Sequence, residues 1–204
     1  MRIGLIDVDG HNFPNLALMK LSAYHKRRRD TVEWWNGFIH YDRVYMSRVF
    51  TDEYSEDESH CINADEIIKG GTGYDLATVL PDDIEHQYPD YSLYPKYTES
   101  YGYLSRGCPR NCPFCIVGKK EGLKSVQVAD IGEFWRGQQE IKLLDPNLLA
   151  CADHEWLLQQ LADSGARVDF TQGLDARLLN EDNVKLIGKV KIKNIHFAWD
   201  DPND

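Results

Sequence analysis

The chain has 204 residues, of which 42% are hydrophobic and 27% charged, and its formal net charge is −10. No apolar run approaches the ~18 residues that a membrane-spanning helix needs, and the apolar stretch at residues 2–6 is too short for the core of a signal peptide. The acidic balance excludes general nucleic-acid binding, which requires a basic surface, so we expect a small molecule or a protein as substrate and no membrane as partner.

Residues 1–80 are predicted to form a small Rossmann-like α/β domain. Apolar runs at 2–6, 31–35 and 43–46 are predicted as strands, and residues 16–29 as a helix because apolar side chains recur there at helical spacing. A strand, a helix and two further strands without hairpin turns indicate a parallel sheet. Between residues 51 and 59 the polar composition predicts a surface loop, and residues 65–69 are predicted as a short helix stopped by Gly70.

The second half of the chain follows a segment rich in proline and tyrosine, residues 81–98, which we interpret as an interdomain linker pinned by aromatic contacts. From residue 99 onwards short apolar strands alternate with helical patterns. This alternation predicts a parallel barrel or an open α/β sheet with about four strands. The predicted strands are 99–106, 140–144, 167–170 and 194–199, and the predicted helices are 126–138, 154–164 and 180–190.

Three cysteines, Cys108, Cys112 and Cys115, follow one another with the spacing C-x3-C-x2-C. Three thiols can bind one face of an iron–sulfur cube and leave its fourth iron without a protein ligand. A catalytic metal site keeps such a position open, whereas a structural site is closed by four protein ligands. Disulfides are disfavoured because five cysteines is an odd number and nothing marks the chain as secreted. We therefore predict an open metal site in a reducing, cytoplasmic protein.

Zinc is the alternative metal for this motif. A zinc knuckle needs a fourth ligand, which Cys61, Cys151 or one of the seven histidines would have to supply. Neither remaining cysteine belongs to a second C-x2-C pair, which structural zinc sites usually contain. The spacing favours an iron–sulfur cluster and leaves a zinc-binding module open.

With Phe114 directly before its last cysteine, the motif resembles the cluster loop of the radical S-adenosylmethionine (radical SAM) superfamily. The resemblance implies a [4Fe-4S] cluster on the three cysteines, with S-adenosylmethionine chelating the fourth iron and Phe114 near its adenine. It also implies reductive cleavage of S-adenosylmethionine to a 5′-deoxyadenosyl radical that acts on an unknown substrate. The electron would come from a low-potential donor such as flavodoxin or ferredoxin.

The residues before the first cysteine, Ser105 to Pro109, resemble those of a radical SAM subgroup with a Rossmann-like N-terminal domain that often binds cobalamin. Such domains often carry the motif D-x-H-x-x-G, whose histidine ligates cobalt. In this chain Asp9 and His11 have that spacing, but Pro14 stands where the glycine should be. Cobalamin is therefore not the favoured interpretation, and His11 is expected to cap or pack.

Polar residues after the predicted strands are the remaining site candidates, because chemistry in such barrels gathers at the carboxyl ends of strands. The family usually carries Gly-Gly-Glu after the second strand to hold the amino group of the cofactor. Asp145 and Asn147 occupy that place and could accept the same hydrogen bonds. After the third strand, Arg177 is expected to bind the methionine carboxylate, with an ion pair to Asp175 or to a neighbouring helix as the alternative.

The length of the second half predicts an incomplete barrel. At ~30 residues per strand–helix unit, residues 99–204 hold about three and a half units, whereas radical SAM cores resemble a six-unit partial barrel. The expected fold is thus a Rossmann-like domain followed by a partial, C-terminally incomplete radical SAM barrel. Two functions stay open: an enzyme, whole or completed by a partner, and a truncated, non-catalytic iron–sulfur or zinc module.

Overall fold

The computed structural model describes residues 1–10, 13–50, 55, 57 and 62–197. The chain divides into two compact units, Met1–Tyr97 and Thr98–Asp204. Each unit combines helices with a four-stranded parallel sheet, which confirms the predicted α/β class. Within the described residues, no helix has both the length and the apolarity needed to cross a membrane.

The first unit is built on one parallel sheet with the strand order β2-β1-β3-β4. The first strand lies between the second and the third, as in doubly wound α/β sheets. This arrangement agrees with the predicted Rossmann-like domain. Its elements are β1 (Arg2–Asp7), α1 (Leu16–Arg27), β2 (Thr31–Trp34), β3 (Tyr41–Ser47), β4 (Ala64–Gly70) and α2 (Asp82–Glu85).

The predicted helix at 16–29 is observed as α1. Asn15 caps its first turn, because its side-chain oxygen accepts a hydrogen bond of 3.2 Å from the amide of Leu18. Leu18 and Leu21 of α1 are buried against Ile3 and Leu5 of β1. The helix thus covers one face of the sheet with the apolar stripe that its sequence predicts.

The prediction of a short helix at 65–69 is wrong, because these residues belong to β4. Ile67 and Ile68 are β-branched, and they pair with Val44 and Tyr45 of the neighbouring strand β3. A single helical turn would have offered five residues little hydrogen bonding, whereas the strand joins a ladder along its whole length. Tertiary pairing therefore decides the conformation.

Residues 81–97 of the predicted linker pack as part of the first unit. Ile84 of α2 is buried in the core that β1 and α1 share. The hydroxyl of Tyr94 donates a hydrogen bond of 2.7 Å to Asp7, and its ring packs edge-on against Trp34. These aromatic contacts are made to the first sheet, and the role of the segment as an interdomain linker stays a prediction.

The second unit is built on one parallel sheet with the strand order β10-β9-β8-β5. The spatial order of its four strands is thus the same as their order along the chain, read in reverse. A separate antiparallel pair, β6 and β7, closes a loop. The elements are β5 (Ser100–Gly102), β6 (Ser105–Arg106), α3 (Val117–Lys120), β7 (Val126–Gln127), β8 (Glu140–Leu143), α4 (His154–Ser164), β9 (Arg167–Phe170), α5 (Glu181–Ile187) and β10 (Lys191–Asn194). Closure of these strands into a partial barrel stays a prediction.

The core of the second unit lies between α4 and the sheet. Ile141 and Leu143 alternate with polar residues along β8 and are fully or almost fully buried. Leu157 and Leu161 of α4 share that core. Gly165, with φ of 65°, ends the helix in the left-handed conformation that glycine adopts without strain.

Three predicted elements of the second unit differ from the structure. The predicted strand 99–106 is split into β5 and β6. The predicted helix 126–138 is instead β7 followed by a single 3₁₀ turn at Ile131–Glu133, because glycines at 132 and 137 interrupt the pattern. Up to residue 197, where the described part of the chain ends, the fourth strand of this sheet is β10, which is earlier than the predicted strand 194–199. Two of its four residues, Lys191 and Lys193, are lysines and all four are exposed, so the sequence shows no apolar strand pattern there.

Candidate functional site at the cysteine loop

The cysteines lie on a closed loop, residues 107–125, which we call the cysteine loop. Its ends are joined by the antiparallel pairing of β6 with β7. Inside this closure, the amide of Cys108 donates a hydrogen bond of 3.1 Å to the carbonyl of Gly122. Gly107 has φ of 91°, and a β-carbon there would lie 2.1 Å from the carbonyl oxygen of Lys124, so the closure requires glycine.

The start of the loop is anchored by Asp145, which follows β8 and is 4% exposed. Its carboxylate accepts hydrogen bonds from the amide of Leu104 (2.9 Å) and from the amide and hydroxyl of Ser105 (2.5 and 2.6 Å). Burial raises the pKa of Asp145 to about 6, although these bonds act in the opposite direction. Both oxygens of Asp145 are thus bonded to Leu104 and Ser105, which lead into the cysteine loop. The sequence predicted instead that this carboxylate holds the amino group of the cofactor.

The three cysteines are free thiols with partly exposed side chains. Cys112 and Cys115 bracket a tight turn, in which the amide of Cys115 donates 2.9 Å to the carbonyl of Cys112. In the part of the chain that the structure describes, no three His, Cys, Asp or Glu side chains come close enough together to hold a metal ion. The structure therefore brings the three thiols onto one loop without gathering their sulfur atoms into a ligand set.

Asn147 is the predicted residue that the structure places beside a cysteine. Its side-chain Nδ2 lies 3.5 Å from Sγ of Cys108 and 3.4 Å from Oδ2 of Asp175. The residue is 4% exposed, and its Oδ1 is buried without a hydrogen-bond partner. A buried acceptor without a partner costs about 1–3 kcal/mol, so a donor from a ligand at this position would be stabilising.

Asp175 joins Asn147 to two arginines. Its Oδ2 accepts 2.6 Å from Nε of Arg110, and its Oδ1 accepts 2.8 Å from Nε of Arg177. Burial raises the pKa of Asp175, but the hydrogen bonds and charges of the two guanidinium groups outweigh burial and lower the pKa to about 2. The ion pair between Arg177 and Asp175 is the alternative that the sequence left open for this arginine.

Phe114, predicted to lie near adenine, is 75% exposed. Its position on the tight turn between the second and third cysteines presents the ring to solvent. A ring this exposed gains little from core burial, so burial does not account for an aromatic residue at this place.

A cavity of about 480 Å³ opens beside the cysteine loop, and this volume is in the range of small-molecule sites. Pro109 and Arg110 of the loop line one part of it. His154, which also lines it, is held by a bond of 2.7 Å between Nδ1 and the carbonyl of Cys151, while its Nε2 is buried without a partner. The remaining lining residues are Leu149, Ala150, Cys151, Ala152 and Leu178.

Sequence reasoning missed Arg110, Asp175 as a shared partner, and His154. The signal for Arg110 was available, because it is the one charged residue between the first two cysteines and lies two positions from each. His154 gave no such signal, since a histidine at the first position of a helix is ordinary. Its place in the lining of the same cavity as Pro109 and Arg110 depends on tertiary structure.

Two candidate metal ligands lie outside the described residues. They are His11 of the partial cobalamin motif and Cys61, which could have completed a zinc site. Asp9 of the same motif accepts hydrogen bonds from the amides of Val49 (2.6 Å) and Phe50 (3.2 Å). Cys151, the other spare thiol, is 2% exposed, and burial raises its pKa. A buried neutral thiol is a poor zinc ligand, because zinc binds the thiolate.

No family model matches the chain, and no curated protein matches it. The case for a function therefore rests on the residues of the site itself.

Proposed function

We propose that the chain binds a [4Fe-4S] cluster through Cys108, Cys112 and Cys115 and acts as a radical SAM enzyme on an unknown substrate. The observation that carries the proposal is the cysteine loop: three free thiols on one closed loop, with Asn147 beside the first of them. When bound, the cluster would supply the electron that cleaves S-adenosylmethionine to methionine and a 5′-deoxyadenosyl radical. Three protein ligands leave one iron open for that cofactor.

The donor set of the loop fits such a cluster in its chemistry. Thiolates are the ligands of iron–sulfur clusters, and all three thiols are unpaired and partly exposed. The closure by β6 and β7 and the anchor at Asp145 hold the first cysteine at the carboxyl edge of the parallel sheet. Asn147, which follows β8, reaches the same edge.

Asn147 is proposed to be both a hydrogen-bond donor to the cluster ligand and an acceptor for the cofactor. Its Nδ2 donates toward the sulfur of Cys108, and its unpartnered Oδ1 is the acceptor for the amino group of S-adenosylmethionine. A side-chain amide is suited to this double role because it carries both donors and an acceptor. Asp145, by contrast, supports the loop and does not contact the cofactor in this proposal.

Arg110 and Arg177 are proposed to bind the carboxylate of the methionine moiety. The single carboxylate of Asp175 lies between the two guanidinium groups, so the trio keeps a net positive charge beside the cysteine loop. Asp175 contacts each arginine through Nε, and a guanidinium group carries further donors that match a carboxylate in bidentate geometry. Phe114 supplies an exposed ring for stacking on adenine.

The four parallel strands of the second unit are proposed to be part of a radical SAM barrel. Sequential strands that lie side by side are the arrangement from which such barrels are built, and the site residues follow β5, β8 and β9 at their carboxyl ends. The free thiols favour a reducing compartment, and we propose the cytoplasm. Cobalamin is left out of the proposal, because Pro14 stands where the motif needs glycine and the described Asp9 bonds to the amides of Val49 and Phe50.

Anaerobic reconstitution with iron and sulfide tests this function. We expect a brown protein that forms 5′-deoxyadenosine from S-adenosylmethionine under a strong reductant. The variant with Cys108, Cys112 and Cys115 all replaced by alanine should neither turn brown nor form 5′-deoxyadenosine. Cys151→Ala should do both as the wild type does, because its buried thiol lies outside the three-cysteine motif. A cluster without 5′-deoxyadenosine would favour the non-catalytic module, and a colourless protein with bound zinc would favour the zinc module.

A further inference from the structure

The cavity beside the cysteine loop contains a histidine whose hydrogen-bonding roles are fixed by its surroundings. Nδ1 of His154 lies 2.7 Å from the carbonyl oxygen of Cys151. A carbonyl oxygen can only accept a hydrogen bond, so Nδ1 carries the proton and donates. In the neutral ring, Nε2 is therefore left with a lone pair that can accept a second hydrogen bond.

This lone pair has no partner in the described part of the chain. Nε2 of His154 is buried, and none of the described residues donates to it. A buried acceptor without a partner destabilises the folded chain, so a ligand that supplies a donor regains the lost free energy. Because His154 lines the cavity, a molecule bound there is placed to be that donor.

A hydrogen-bond donor suits the lone pair better than a metal ion does. Histidines that ligate metals often donate their other ring nitrogen to a carbonyl, as His154 does to Cys151. A metal site, however, needs several such ligands. Across the described residues, no three His, Cys, Asp or Glu side chains lie close enough to one another to bind a metal ion. The ligand is therefore expected to carry an N–H or O–H group.

The rest of the lining favours a ligand with an apolar body. The cavity has a volume of about 480 Å³, within the range of small-molecule sites. Its lining is mostly apolar, since a buried free cysteine behaves as a small hydrophobic residue. Apart from Arg110 and His154, the lining residues are Pro109, Leu149, Ala150, Cys151, Ala152 and Leu178.

The group beside His154 is expected to be neutral. Arg110 lines the same cavity, but the proposed function assigns its guanidinium to the carboxylate of the methionine moiety. A second carboxylate, placed against Nε2 of His154, would bring two acceptors together and leave the lone pair without a donor. A neutral N–H or O–H group satisfies the lone pair and leaves Arg110 to the cofactor.

We infer that this cavity binds the substrate, a neutral small molecule with an apolar body and an N–H or O–H group that donates to Nε2 of His154. As an assignment of the substrate, the inference rests on the proposed function, because Arg110 belongs to both the cavity and the cofactor site. The binding itself needs no cluster, since every contact that it uses lies on the chain.

Calorimetric titration of the full chain, before and after reconstitution, with indole tests the inference. Indole carries one N–H donor on an apolar body, and benzofuran has nearly the same shape without the donor. The wild type should bind indole about fivefold more tightly than benzofuran, which is the effect of one neutral hydrogen bond. Benzoate, an anion without a donor, should bind more weakly than indole. No binding of indole, equal affinity for indole and benzofuran, or tighter binding of benzoate would overturn the inference.

Two substitutions of His154 separate its acceptor from its bond to Cys151. His154→Asn keeps an amide donor near the position of Nδ1 and removes the acceptor at Nε2, so the preference for indole over benzofuran should disappear. His154→Gln can bring an amide oxygen near the position of Nε2 and should keep part of the preference. An undiminished preference in His154→Asn would contradict the inference.

His40→Asn is the matched control for these variants. His40 is an exposed histidine of the first unit and does not line the cavity. This variant should bind indole and benzofuran as the wild type does. If His40→Asn loses the preference for indole to the same extent as His154→Asn, the preference does not arise at His154 and the inference is wrong.

Failure of the proposed function gives a different result. Selective binding of indole by a chain that assembles no cluster supports the cavity as a binding site and removes its assignment to a radical SAM substrate. A chain that assembles the cluster but does not distinguish indole from benzofuran overturns the inference and leaves the proposed function standing.

Discussion

The side-chain amide of Asn147 lies 3.5 Å from Sγ of Cys108, and the same nitrogen lies 3.4 Å from Oδ2 of Asp175. One amide thus links the first cysteine of the loop to the carboxylate that holds Arg110 and Arg177. The three residues come from segments that follow three different strands, β5, β8 and β9, so only the fold brings them together.

Replacing Asn147 by alanine should lower the reduction potential of the reconstituted cluster. An N–H donor stabilises the more negative, reduced state, and a bond worth about 1 kcal/mol corresponds to about 40 mV for one electron. Spectroelectrochemical titration measures the shift. The control is Asn194→Ala, because Asn194 also donates to a carboxylate, that of Asp169, at 3.0 Å but does not contact a cysteine. If the reduction potential of Asn147→Ala equals that of Asn194→Ala, the hydrogen bond from Asn147 to Cys108 does not tune the cluster.

Gly107→Ala should destabilise the cysteine loop more than Gly122→Ala does. The two glycines have almost the same φ, 91° and 92°, so both variants carry the strain of a left-handed conformation, about 1–2 kcal/mol. Only at Gly107 would the added β-carbon also collide with a carbonyl oxygen, whereas nothing lies within 4 Å at Gly122. Chemical denaturation and iron content after reconstitution compare the two. A smaller loss for Gly107→Ala would show that the loop does not close as described.

The stability of the protein should fall as the pH rises through about 6, to an extent that depends on Asp145. Its pKa is raised from 3.8 to about 6 in the folded state, so the folded protein binds the proton more tightly than the unfolded chain does. The stabilisation is fully present below pH 3.8 and is lost as the carboxyl ionises. Urea denaturation between pH 4 and 7 should show this slope in the wild type and not in Asp145→Asn.

The control for that slope is Asp169→Asn, a substitution at another buried aspartate of the same unit. This variant should keep the pH dependence of the wild type. If Asp145→Asn and the wild type lose stability in parallel from pH 4 to 7, the raised pKa is assigned to the wrong residue.

Arg110→Ala and Arg177→Ala should each weaken the binding of S-adenosylmethionine and leave the iron content intact. Loss of one guanidinium removes a charge-assisted contact worth about 1.5–3 kcal/mol, which corresponds to roughly 10- to 150-fold in Kd. Equilibrium binding to the reconstituted protein measures the change. Arg136→Ala is the control, because Arg136 lies in the same unit but does not contact Asp175 in the described structure. Unchanged affinity in both site variants would remove these arginines from the site.

Elements with a strong local pattern could be predicted from the sequence. The bounds of β9 and α4 agree with the predicted 167–170 and 154–164, because an apolar strand and a helix with leucines on one side each carry their own signal. The strand β4 could not be recognised, since its conformation depends on pairing with β3. The same holds for β10, whose lysines hide an exposed strand in a polar sequence.

The site divides in the same way. The cysteines, Asn147 and Arg177 could be named from their motif and from their places after predicted strands. The anchoring of Ser105 by Asp145 spans 40 residues, and the pairing of Arg110 with Asp175 spans 65, so no local pattern encodes them. Long-range hydrogen bonds of this kind are visible only once the strand ends lie side by side.

The most direct test of the central claim is the electron paramagnetic resonance spectrum of the reconstituted and reduced protein, recorded with and without S-adenosylmethionine. A site with three cysteines and one open iron predicts the signal of one reduced [4Fe-4S] cluster per chain, a change in that signal when S-adenosylmethionine is added, and no signal after Cys108, Cys112 and Cys115 are replaced by alanine. A signal that S-adenosylmethionine leaves unchanged, or a protein that takes up zinc and no cluster, would contradict it.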